Sequence, residues 1–166
     1  DYFKAIMGGA ESFVSQGSVA RTTGTNATFI AVPVKDTEGE LIGLTASVVA
    51  LDALSGIAAS LSEGDTYALI LDSNLMTIGH PDVSQVLQLS FTDPVALGYK
   101  NLEAGVEALK EKHSGYQRFR DSEGSEFYMV YAPISSSSGW SFVMMMPGET
   151  INSITMYIES ILTGVS

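Results

Sequence analysis

The chain has 166 residues, 45% of them hydrophobic, and carries a formal net charge of −11 from eight basic and nineteen acidic side chains. This is too apolar for a disordered chain and long enough to bury a real core; its scattered Lys and Arg argue against nucleic acid or an anionic membrane surface as a partner. Cysteine is absent, which excludes disulfides, thiolate metal sites and cysteine nucleophiles.

The elements follow in chain order. Residues 1–9, DYFKAIMGG, are expected to form a short helix stopped by Gly8-Gly9. Residues 11–15 are expected as a weak strand and residues 16–27, rich in Gly, Ser, Thr and Asn, as loop. A hairpin lies in IAVPVKDTEGELIGL, residues 30–44, where Asp36 and Gly39 take the first and last places of a type I turn. The run GLTASVVALDALSGIAASL, residues 43–61, is long enough to span a membrane. A carboxylate at its centre (Asp52) costs about 2.5–3.5 kcal/mol on insertion scales. Strand followed by helix is the expectation, and the chain as given is expected to be soluble.

Strands are then expected at 66–72 and 75–80, turning through Ser73-Asn74. A helical stripe of Val95, Leu102, Val106 and Leu109, stopped by Gly115, fills the connection to strands near 116–120 and 125–134. Asp121 and Gly124 repeat the chemistry of the Asp36–Gly39 turn. A second hairpin over 128–146 contains VYAPISSSSGWSFVM, in which Pro133 and Gly139 match Pro33 and Gly39. The prolines suit strand edges or bulges, where no ladder N–H is needed. A last helix is expected over 149–162, with Ile151, Ile154, Ile158 and Ile161 on one side.

Residues 66–146 thus follow the order of a PAS-like module, one antiparallel sheet with helices on one face. Residues 11–50 supply only the last three strands of a second one. The expected fold class is α+β, tandem PAS-like modules with antiparallel sheets flanked by helices, the N-terminal module incomplete. Its first two strands and leading helix would lie before Asp1. With no initiator methionine or signal segment, the chain is expected to be an excised piece of a longer protein.

Motifs for catalysis are thin. GHPD (79–82) offers His80 and Asp82 as a base or ligand, but a turn explains Gly and Pro there. No G-x-S-x-G, H-E-x-x-H or G-x-x-x-x-G-K-[ST] occurs. Serines 135–138 are expected in a hairpin loop. Met144 and Met146 should share one sheet face and Met145 the other, as core filling. Trp140 and Tyr128 are expected in the sheet, with the lining of a pocket as the alternative. Arg118 and Arg120 share a face of one strand and suit either solvent or an anion. Asn26-Ala27-Thr28 matches a glycosylation sequon by pattern. Tyr2 and Phe3 serve either the core or the wall of a small-ligand pocket, with the tyrosine hydroxyl as the polar handle.

In order and spacing, DYFKAI, AVPVKDTEGELIGLTASVVALDAL, YALILDSNLMTIGHPD and MVYAPISSSSGWSFVMMMP resemble the double Cache sensor domain. That family forms the extracytoplasmic part of many prokaryotic chemoreceptors, histidine kinases and diguanylate cyclases. The resemblance implies a membrane-distal module ending near residue 58, a membrane-proximal module over 59–148, and an exit helix over 149–166 leading to a transmembrane segment. It also implies a ligand site in the distal module. Amino-acid-binding members carry Arg-x-aromatic-aromatic and a later aspartate. Tyr2 and Phe3 match the aromatics, the arginine falls before Asp1, and Val48 stands at the aspartate's place.

The implied function is extracytoplasmic small-molecule sensing in a transmembrane receptor, without catalysis, metal or cofactor. The implied ligand-binding residues are Tyr2, Phe3, Thr45, Ser47 and Val48. Since Val48 cannot pair an ammonium, a small carboxylate or neutral metabolite is expected ahead of an α-amino acid. A homodimer is expected in the full receptor. The alternatives are a spacer, dimerisation or partner-binding module, and a small hydrolase using His80 and Asp82.

Overall fold

The computed structural model describes residues 2–21, 23–135, 137 and 139–153. Helix α1 covers Tyr2–Met7. It ends as the two glycines dictate. Gly9 adopts φ +97°, Ala10 N–H reaches the Ala5 carbonyl at 3.1 Å, and Gly9 N–H reaches that of Ile6 at 3.0 Å. These are the two bonds of a Schellman cap.

The first sheet is built on one long strand. β1 (Phe13–Val14) and β2 (Ser18–Val19) lie along one edge of β3 (Asn26–Lys35), and β4 (Leu41–Ala50) lies along the other, all antiparallel. The expected loop at 16–27 therefore contains a strand, because Ser18 and Val19 pair with Ala27 and Asn26. Pro33 falls beyond the end of β1, whose pairing with β3 stops at Ala31. The expected strand-then-helix follows: α2 runs Leu51–Ser60 directly from β4.

The second sheet contains β5 (Tyr67–Leu71), β6 (Thr77–Gly79), β7 (Gly115–Arg120), β8 (Glu126–Pro133) and β9 (Ser141–Pro147), in the antiparallel order β6-β5-β9-β8-β7. This mixed α+β architecture, antiparallel sheets with few helices, matches the expected PAS-like class. β6 is shorter than the 75–80 anticipated, because Leu75 and Met76 are taken up by the preceding turn.

Helix α3 covers only Glu103–Lys110. Leu102, Val106 and Leu109 are buried as expected, whereas Val95 is 65% exposed. Asp93 Oδ1 accepts from Ala96 N–H at 3.0 Å and Tyr99 N–H donates to the Pro94 carbonyl, closing a separate turn before the helix. Gly115 begins β7 rather than ending the helix.

Two apolar clusters hold the second sheet. Leu69, Leu71, Met129, Val143 and Met145 join Phe91, Leu102, Val106 and Leu109 on one face. On the other face Ile70 joins Leu51, Ile78 and Val86, with Trp140 and Phe142 against them. β5 is thus covered on both sides, which is why its sequence is a continuous apolar run rather than an alternation.

Residues 148–153 are helical; Ile154, Ile158 and Ile161 of the anticipated last helix lie outside the described residues. No helix among the described residues is long and apolar enough to cross a membrane.

Candidate functional site

The expected distal site depends on how α1 meets β4. Helix α1 turns Ile6 inward, where it is 1% exposed, and leaves Tyr2 at 39% and Phe3 at 56%. A groove of about 250 Å³ separates the end of α1 from the β3–β4 hairpin, lined by Ile6, Met7, Pro33, Lys35 and Leu41 among others. None of the five anticipated residues lines it.

Strand alternation divides those five. Pairing sets Phe29 opposite Val48, Ala31 opposite Ala46 and Pro33 opposite Leu44 on one face. It sets Ile30 opposite Ser47 and Val32 opposite Thr45 on the other. The groove beside α1 includes Pro33, which puts the helix on the side of Val48. Thr45 and Ser47 therefore point away from Val48, and a single pocket on one sheet face cannot take all three. Thr45, Ser47 and Val48 are all exposed.

Elsewhere the motifs resolve into local structure. His80 Nδ1 lies 3.0 Å from Asp82 N–H, and Asp82 Oδ1 accepts from Ser84 N–H and Oγ at 3.0 and 2.7 Å, capping the short turn Val83–Gln85. Burial lowers the His80 pKa, opposed by the Asp82 carbonyl and carboxylate. Ser137 Oγ donates to the Ile134 carbonyl and accepts from Trp140 N–H, so it closes the β8–β9 loop. Met145 is buried while Met144 and Met146 face the other side, half-covered. Arg118 and Arg120 are exposed, and Arg118 sits 3.7 Å from Glu126. With Lys100 and Asn101 they line a hollow of about 280 Å³. Among the described residues no group of three His, Cys, Asp or Glu could hold a metal ion.

The sequence pattern missed a larger feature. A cleft of about 670 Å³ opens where β5 begins, β8 begins and β9 ends. Its walls include Asp65, Tyr67, Glu126, Phe127, Glu149 and Asn152. Burial, with a smaller contribution from Tyr99, pushes the Tyr67 phenol up to about 12. Gly148 lets the following helical turn approach closely: a Cβ there would sit 3.2 Å from the Glu126 carbonyl oxygen and 3.3 Å from its Cβ. The three segments are separated by tens of residues, and only the strand order β5-β9-β8 brings them together.

Comparison with known proteins supplies a context. The model of the Cache domain family matches residues 1–154. The extracellular domain of mmHK1S-Z3, described as a candidate histidine kinase, superposes with a TM-score of 0.74 at 16% identity, covering 93% of this chain and 55% of that one. The periplasmic sensory domain of the Campylobacter jejuni chemoreceptor Tlp1 gives 0.68 at 14% identity, covering 90% and 55%. The ligand-binding domain of the Pseudomonas aeruginosa PAO1 amino acid chemoreceptor PCTC, in complex with GABA, gives 0.62 at 23% identity, covering 87% and 59%. The chain therefore spans little more than half the length of these structures. No curated protein matches.

Proposed function

The chain belongs to the Cache domain family, and from that premise we propose that it is the small-molecule-sensing part of a membrane receptor, facing the extracytoplasmic side. The observation that carries this reading is the family match over residues 1–154, supported by the PAS-like strand order of the second sheet. In this reading residues 1–58 belong to a distal module, 59–148 form a proximal module and 149–166 lead toward the membrane. Ligand binding would shift the population of distal-module conformations and move the C-terminal segment. The full receptor would be a homodimer. Catalysis has no part in it.

The ligand would rest against the start of α1, with Tyr2 and Phe3 as its aromatic wall. Thr45 and Ser47 would serve only if it reaches the face opposite Val48. The earlier preference for a ligand without an ammonium group draws no support from PCTC, described as an amino acid chemoreceptor. It rested on Val48 alone, standing where amino-acid-binding members carry an aspartate. Amino acids therefore belong in the proposed ligand class beside small carboxylates and neutral metabolites.

A spacer or partner-binding module is the second reading, favoured by the exposure of Tyr2, Phe3, Thr45, Ser47 and Val48. A melting-temperature panel of L-amino acids, GABA and small carboxylates separates the two. A ligand at 100 times its dissociation constant adds about 2.7 kcal/mol of stability, roughly 5–10 °C for a chain of this size. No shift with any member of the panel overturns the sensing reading in favour of the spacer.

A further inference from the structure

We propose that the cleft between the second sheet and residues 148–152 is a binding site for a small organic ammonium ion, separate from the distal site. Its volume, about 670 Å³, lies within the usual range for small-molecule sites. Tyr67 and Phe127 give it aromatic walls, and Asp65, Glu126 and Glu149 give it negative charge. Among the described residues no Lys or Arg lines it. Glu126 has Arg118 at 3.7 Å, whereas Asp65 and Glu149 have no ion-pair partner among the described residues. An aromatic wall attracts a cation through its ring quadrupole, and a weakly hydrated ammonium gains more there than a strongly hydrated metal ion. The chain's net charge of −11 draws cations toward the molecule, but only the cleft adds rings and shape.

The position gives such a ligand a mechanical role. Tyr67 is the first residue of β5, Phe127 follows the start of β8, and Pro147 ends β9. Glu149 and Asn152 come from the helical turn that leaves the sheet. An occupant holds that turn against the sheet edge where Gly148 already packs on Glu126. The site would thus read a cation at the point where the chain departs toward its C-terminus.

The test is calorimetric titration of the 166-residue chain with tetramethylammonium chloride, against sodium chloride at equal ionic strength. Saturable binding is expected with tetramethylammonium and not with sodium. The double variant Asp65→Asn/Glu149→Gln, altered at exposed positions, should bind several-fold more weakly. Glu38→Gln/Glu40→Gln on the β3–β4 turn changes the net charge equally and should bind as the parent does. Amide resonances of Gly64, Phe127 and Gly148 should move on titration, and those of α1 and β4 should not. Any of four results overturns the proposal: no saturation, equal binding of sodium, equal weakening in the two double variants, or unchanged binding in Asp65→Asn/Glu149→Gln.

Discussion

The carboxylate of Asp72 joins the two sheets through Gly17. Its Oδ1 accepts from Asn74 and Met76 N–H at 2.9 and 3.1 Å, closing its own turn, while Oδ2 accepts from Gly17 N–H at 3.3 Å. Asp72 is 2% exposed. Gly17 is hemmed in: a Cβ there would lie 2.6 Å from Ile78 Cγ2 and 2.8 Å from Leu87 Cδ2. The segment between β1 and β2 is thereby docked onto the second sheet.

Asp72→Ala is expected to destabilise the chain by roughly 1–3 kcal/mol, since it removes the acceptor of three part-buried N–H groups and a desolvated N–H without a partner costs about that much. Asp72→Asn keeps an acceptor for the turn but presents its amide to Gly17. Its loss should be about half as large, with faster exchange at Gly17 N–H and unchanged exchange at Asn74 and Met76. Urea denaturation and amide exchange measure both; equal exchange at all three amides would show that the two oxygens do not divide the work this way.

The turns after β3 and β7 are built alike. Asp36 Oδ1 accepts from Glu38 and Glu40 N–H, and Asp121 Oδ1 from Glu123 and Ser125 N–H, at 2.8–2.9 Å. Gly39 and Gly124 both take φ +90°. Gly39→Ala and Gly124→Ala should each cost roughly 1–2 kcal/mol for a left-handed backbone with a Cβ, by thermal or urea unfolding. A cost at one position and none at the other would break the equivalence.

His80 should make stability depend on pH. Its folded pKa is lowered from 6.5, chiefly by burial, so the unfolded chain binds the proton first. The contribution is fully present above pH 6.5 and is lost as the pH falls through the folded pKa. His80→Gln should flatten that part of the stability profile. An unchanged slope between the parent and this variant would place the dependence on other groups.

The split of β4 predicts a pattern among variants. If a ligand binds beside α1, Tyr2→Ala, Phe3→Ala and Val48→Ala should weaken it, while Thr45→Ala and Ser47→Ala should not. If it binds the other face, the last two should weaken it and Val48→Ala should not. Calorimetric affinities of the five variants for a compound that shifts the parent's melting temperature decide; losses of equal size at Val48 and Ser47 would contradict a ligand confined to one face. All three β4 substitutions lie at exposed positions and should change stability by no more than about 0.5 kcal/mol.

Short-range chemistry was legible in the sequence because it is self-contained. An aspartate that bonds its own turn, a Gly-Gly stop and a proline at a strand end need only neighbouring residues, so both hairpins and the end of α1 could be placed. The continuous apolar run of β5 and the succession of the second sheet's strands along the chain followed from pattern and order. Even the separation of Ser47 from Val48 was implicit, since alternate residues of a strand face opposite ways. Tertiary structure decided the rest. Periodicity grouped Val95 with Leu102, but the turn closed by Asp93 and Pro94 left it outside α3. Ser18 and Val19 have no strand signal of their own and become β2 only by pairing with β3. The cleft of Tyr67, Phe127 and Glu149 exists because β9 lies between β5 and β8, and Asp72 meets Gly17 only when the two sheets pack. Such contacts depend on which distant segments pair, and local pattern carries no term for that choice.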